Sequence, residues 1–220
     1  ACGVGFYQPD TGQVTCLRAP IGHYVGITGA DAETECAVGT YQMNTGQSQC
    51  VQAPPGSYAG ATGATLPTPC TAGTFQPISG AESCDDAEIG HFVELSGSQS
   101  QQECLAGTYQ PNSGATACID AQPGHFVAGT GAIDQATCAP GFYQPRAAQQ
   151  SCLAAPLHTY VPLPAAPTQT NCPAGTITEA IGTIELVDCL DKVPPVLSLP
   201  GNFVVEATGP DGAFVTFPPV

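Results

Sequence analysis

The chain of 220 residues sets 18 acidic side chains against three basic ones, Arg18, Arg146 and Lys192, for a formal charge of -15. That balance makes nucleic acid and anionic membrane surfaces poor partners, because three basic side chains among 18 acids cannot neutralise phosphates. With 26 Gly and 22 Pro, no helix-period apolar stripe and no run near the roughly 18 apolar residues of a membrane span, helical bundles and membrane insertion of this segment are excluded.

Read from the start, the chain declares a period. Its cysteines are Cys2, Cys16, Cys36, Cys50, Cys70, Cys84, Cys104, Cys118, Cys138, Cys152, Cys172 and Cys189, and their separations alternate 14, 20, 14, 20 until a final interval of 17. The result is a 34-residue repeat that divides the chain into 2–35, 36–69, 70–103, 104–137, 138–171 and 172–190. Inside each repeat one pattern is written twice, with a cysteine pair in residues 104–120 and without one in 121–137. The structural unit is thus half the repeat, a 17-residue pattern, and eleven such units run on from Cys2.

Superposing the units exposes fixed places. The fourth is Gly in ten units, and the eleventh is Gly in nine, following Thr or Ser in eight. This is turn chemistry, since glycine adopts positive φ without penalty. The sixth place is aromatic in ten units: Tyr7, Tyr24, Tyr41, Tyr58, Phe75, Phe92, Tyr109, Phe126, Tyr143 and Tyr160; Ile177 breaks the column. Each unit reads as short strand, turn, short strand. A hairpin this small buries no core of its own, so one ring per unit is expected to stack on the next unit, giving a solenoid-like array.

Twelve cysteines without a C-x-x-C pair point to disulfides in an oxidising, extracellular setting. In the cysteine-free units the first place becomes Ala19, Ala53, Ala87, Ala121 and Ala155, and the fifteenth becomes Glu33, Pro67, Gln101, Gln135 and Gln169. Both partners vanish together, which favours pairing within a unit: Cys2 with Cys16, Cys36 with Cys50, Cys70 with Cys84, Cys104 with Cys118, Cys138 with Cys152, and Cys172 with Cys189. Pairing of Cys16 with Cys36 is the alternative, and it would straddle a hairpin.

Metal chemistry is weakly signalled. His23, His91 and His125 share the fifth place of cysteine-free units, where a regular array would line them along one face, although solvated neighbours of the aromatic column is the plainer reading. Asp188, Asp191, Glu206 and Asp211 gather at the junction near residue 190 as calcium candidates, oxygen ligands suiting that ion. No haem motif, no N-x-[ST] sequon and no nucleophile–base–orienter set is legible, so no cofactor and no enzyme are expected.

Beyond residue 190 the period stops. Residues 191–220 hold the stiff Val193-Pro194-Pro195 linker and two β-rich runs, Phe203 to Ala207 and Ala213 to Phe217, the opening of a β-sandwich that the segment leaves unfinished. The chain also begins at Ala1 in mid-pattern, as a processed or excerpted piece of a longer protein does.

The units C-x-x-G-T-Y-Q-P-x-x-G-x-x-x-C resemble the cysteine-rich repeats of ephrin-receptor ectodomains (GCC2/GCC3 repeats), related in style to the first module of tumour-necrosis-factor-receptor repeats. They depart from that pattern by losing the cysteine pair in every second unit. The tail, with Pro194-Pro195 and VVEATGPDGAFVTF, resembles the start of a hyalin-repeat (HYR) immunoglobulin-like domain. Both resemblances imply extracellular architecture and adhesion. The expected fold is mainly β with little regular structure, an elongated disulfide-stapled array followed by a partial immunoglobulin-like segment. The expected function is an extracellular stalk or filament component at a cell surface or in matrix, partnered by further domains, by other copies, or by surface glycans or proteins. The alternative is a receptor-like ligand-binding module.

Overall fold

The structure, a computed structural model, describes residues 1–191, and over that span the chain makes eleven two-stranded antiparallel sheets, one per unit. Each strand is two residues long. Phe6–Tyr7 pairs with Leu17–Arg18 in the register Phe6 to Arg18 and Tyr7 to Leu17, and His23–Tyr24 with Thr34–Glu35. The same pairing recurs once in every unit to the last, Thr176–Ile177 with Leu190–Asp191. That last unit holds three extra residues, absorbed by a 3-10 turn, Leu186–Asp188. The fold is therefore a β-hairpin array, stapled every second hairpin.

A tight turn opens each hairpin. The Phe6 N–H donates to the Gly3 carbonyl, which leaves the fourth place in the turn position that needs positive φ, and Gly5 adopts +81° there. Where the fifth place is Thr or Ser, its hydroxyl closes on the same carbonyl, as Thr40 does on Ala37 at 2.7 Å and Thr108 on Leu105 at 2.8 Å. The fourth and eleventh places account for every positive-φ residue described. His158, Ala148 and Ala165 are strained into that region at 69°, 58° and 56°, so the chain path holds even where the glycine is lost.

Neighbouring units are joined by a ladder of three backbone hydrogen bonds. The Gly5 N–H donates to Val25 O (2.8 Å), Gln8 N–H to Ala30 O (3.1 Å), and Gly29 N–H donates back to Cys2 O (2.7 Å). The next junction repeats them: Gly22 to Gln42, Val25 to Gln47, Gly46 to Ala19. The pattern is unchanged through Gly141 to Val161 and Ala165 to Cys138. A single variation comes at the last junction, where the Thr178 hydroxyl accepts from His158 N–H at 3.0 Å in place of a carbonyl.

The core is a thread rather than a centre. Its fully buried column is the first place, alternately cystine and alanine, with Ala19, Cys36, Ala53, Ala87 and Cys104 all 0% exposed. The second buried column is the seventh place, Val25, Gln42, Ala59, Gln76, Val93, Gln110, Val127, Gln144 and Val161. The aromatic column does not form this core: all ten rings are half-buried on the flank. Space along the middle explains the difference. A Cβ on Gly5 would overlap the Gly46 carbonyl oxygen, and one on Gly22 that of Gly63, so each unit presses backbone to backbone on the unit two further along. Only small side chains fit there, and rings are displaced outward.

Candidate functional site

Six disulfides close within units, Cys2–Cys16, Cys36–Cys50, Cys70–Cys84, Cys104–Cys118, Cys138–Cys152 and Cys172–Cys189, with Cα separations of 5.7–5.8 Å. None links Cys16 to Cys36. Among the described residues no cysteine is free. The first-place cysteine is the buried end of the bridge in units 1 to 9, while the fifteenth-place cysteine is at least partly exposed.

Inside the first five of these stapled loops sits a glutamine that sequence patterning does not single out; the sixth has Thr178 at that place. Gln42 donates its Nε2 to Gln49 O (2.9 Å) and accepts from the Asn44 N–H through Oε1 (3.0 Å). Gln76, Gln110 and Gln144 repeat both bonds, to Ser83 and Ile78, Ala117 and Asn112, Ser151 and Arg146. Among the described residues no buried side-chain polar atom lacks a partner. The signal is a strict parity: the seventh place is Gln in the first five cystine units and Val or Ala in the cysteine-free ones. An alternating polar–apolar column inside a core is legible only when each glutamine's two backbone partners are known.

The cysteine-free units close by other means. In units 6 and 8 the fifteenth-place glutamine stands in for the bridge: Gln101 Oε1 accepts from Glu88 N–H and Gln135 Oε1 from Gln122 N–H, both at 2.7 Å. In units 2, 4 and 10 the second place is Pro20, Pro54 or Pro156, which has no N–H to satisfy. The donor is either bonded or absent.

The three fifth-place histidines point Nδ1 at the carbonyl two residues earlier, His23 at Ile21 O and His91 at Ile89 O (both 3.1 Å), His125 at Pro123 O (3.3 Å). Across the hairpin His23 and His91 Nε2 lie 3.9 Å from Glu35 and Glu103 Oε1; His125 faces Thr137. Among the described residues no three His, Cys, Asp or Glu side chains gather as a metal cage. Of the calcium candidates, Asp188 is used as a cap, its Oδ2 accepting from Glu185 N–H at 3.3 Å. Asp191 ends the last described strand. Glu206 and Asp211, and with them the immunoglobulin-like tail, lie outside the described residues. An open cleft of about 430 Å³ beside the 3-10 turn has Ile181, Ile184, Val187 and Leu190 in its lining together with Glu179 and Asp188.

At the other end, the Arg18 guanidinium lies 5.8 Å from the centre of the Phe6 ring. A hydrogen bond with Glu33, then partial desolvation and the charge of that carboxylate, hold the Tyr7 phenol above its usual range.

Residues 1–36 match the family model described as tyrosine-protein kinase ephrin type A/B receptor-like. No curated protein matches the chain.

Proposed function

We propose that the work of this chain is structural: an extracellular stalk that holds apart whatever is attached at its two ends, as a stretch of a longer surface or matrix protein or as a fibre subunit. The extracellular setting is supported by the family match over the first two units and by six disulfides in register. Among the described residues no helix is long and apolar enough to cross a membrane. The observation that carries the stalk reading is the ladder, which joins unit to unit from the Gly5–Val25 bond to the Val161–Thr183 bond with one substitution, at its far end. A ligand-reading surface calls for local departure from the repeat, and the middle of this array shows little. In this reading the chain does no catalysis, needs no cofactor, and meets further domains of its parent or other copies of itself, with adhesion supplied by neighbours such as the hyalin-like tail.

The second reading is a receptor-like module, favoured by the family match over residues 1–36. Deletion of residues 70–103 from the parent protein separates the two. A stalk shortens by one 34-residue increment in electron micrographs and keeps its adhesive partners. Loss of a partner upon that deletion, or upon replacement of residues 1–36 alone, favours the receptor reading.

A further inference from the structure

Two kinds of unit alternate along this array, and they differ in what holds them. A cystine unit is self-contained: residues 36–50 are closed by Cys36–Cys50 and braced from within by Gln42 on Gln49 and Asn44. A cysteine-free unit has no such brace. Its seventh place is Val25, Ala59, Val93, Val127 or Val161, and it is held by the ladder to its neighbours together with its buried first and seventh places and its contact with the unit two along. For unit 2 these are the bonds Gly5 to Val25, Gln8 to Ala30 and Gly29 to Cys2 on one side, and Gly22 to Gln42, Val25 to Gln47 and Gly46 to Ala19 on the other.

Tension applied along the chain distinguishes the two kinds sharply. Through a cystine unit the covalent path is the bridge, so the loop from Cys36 to Cys50 contributes one Cα step of 5.7 Å and releases nothing. Between bridges the path is bare backbone: Cys16 to Cys36, Cys50 to Cys70, Cys84 to Cys104, Cys118 to Cys138 and Cys152 to Cys172. At full extension each such link, about 20 residues long, spans about 66–72 Å. What resists its opening is a two-residue hairpin, hydrogen bonds, the buried side chains of its first and seventh places, such as Ala19 and Val25, and the contact between flanking nodes, such as Gly5 against Gly46, all of them non-covalent and reformable.

We propose that the chain is a stepwise extensible element, in which the five cysteine-free units are yielding links and the cystine units are rigid nodes. This rests on the stalk reading for its biological use, but the mechanical property belongs to the chain itself. Each link opens on its own, because the nodes on either side keep their internal braces. Each closes again when tension falls, because those nodes still present the donors and acceptors of the ladder, Gly5 N–H and Cys2 O before unit 2 and Gln42 O and Gln47 O after it. Alternation is then the device: a staple in every unit would leave nothing to yield, and staples in none would let the array unravel.

Single-molecule pulling on the full chain, tethered at both ends, tests this. The expected record in oxidising buffer is five separate, reversible length gains, each fitting about 20 residues of extended chain less the folded span. With reductant the gain per repeat rises towards that of about 34 residues, which is about 112–122 Å. The double substitution Ala87→Cys with Gln101→Cys places a bridge at the first and fifteenth places of unit 6, and four gains are expected instead of five. A single rip releasing all five links at once, or gains that fail to reverse on relaxation, would overturn the proposal, and the unsubstituted chain alone decides this. A ligand found on the array would remove the stalk reading while leaving the five steps in place.

Discussion

Gly90 and Gly131 stand two units apart and touch: a Cβ on Gly90 would sit 2.8 Å from the Gly131 carbonyl carbon and would overlap its oxygen. Gly90 also holds φ at +78°. Gly90→Ala is therefore penalised twice, by an unfavourable φ and by a collision with backbone that cannot swing aside. A loss of about 2–4 kcal/mol is expected. Gly175 has nothing within 4 Å of the same Cβ position and φ of +87°, so Gly175→Ala should cost only about 1 kcal/mol. Chemical denaturation of the two variants checks the difference; equal losses would refute packing between second neighbours.

Truncating a buried glutamine should hurt more than its size suggests. Gln110→Ala strands the Asn112 N–H and the Ala117 carbonyl inside the cystine loop. An expected cost of about 1–3 kcal/mol follows from leaving such groups unpaired. Hydrogen exchange at the Asn112 amide reads the effect directly, and unchanged protection there would show the clamp to be unnecessary.

Either of two solutions closes a cysteine-free unit, and they should be interchangeable. Gln101→Ala removes the acceptor for Glu88 N–H and is expected to cost about 0.5–1.5 kcal/mol. Adding Glu88→Pro, which writes the second place as units 2, 4 and 10 have it, removes the stranded donor and should restore most of the loss. Melting temperatures of the single and double variants decide it: a double variant weaker than Gln101→Ala contradicts the equivalence.

Tyr7 should titrate above the ordinary tyrosine value. Its hydrogen bond with Glu33 and that residue's charge favour the protonated phenol. A raised folded-state value means that the interaction is fully present below the ordinary tyrosine value of 10.0 and is lost as pH climbs through the raised one. Ultraviolet titration should show a phenol ionising above 10.0, and Glu33→Gln should lower the pH at which it ionises. A titration curve unaltered by that substitution would remove Glu33 as the cause.

Much of this architecture is legible in the residues, and the parts that are not share a physical reason. Spacing carries the 17-residue unit and the turn glycines, and the joint loss of first- and fifteenth-place cysteines favours the within-unit bridges, because each is a short-range feature whose signature repeats. The rings mislead. Tyr24 and Phe92 are the bulkiest side chains of their units, and bulk suggests a core; yet what occupies the middle is decided by the close approach of Gly22 to Gly63 and Gly90 to Gly131. Contacts between units two apart leave no local trace. Gln42 is hidden for a related reason, since a polar residue in a core is justified only by the loop wrapped around it. His158 reads as wear at the fourth place. Its equivalents Gly124 and Gly141 each press on a unit two further along, whereas no such unit follows His158 among the described residues, so only the φ penalty applies there.

Because the ladder takes the same form at every described junction but the last, a whole double unit can be removed from the middle without a scar. Joining Pro69 directly to Cys104 would again set a seventeenth place before a first, a cysteine-free unit before a cystine one, and Gly56 against Gly131 where Gly97 stood. Genetic slippage between such similar blocks would lengthen or shorten the array in whole increments, every product as well folded as its parent. Length in this protein is therefore a quantity that copying errors can adjust while leaving each junction untouched.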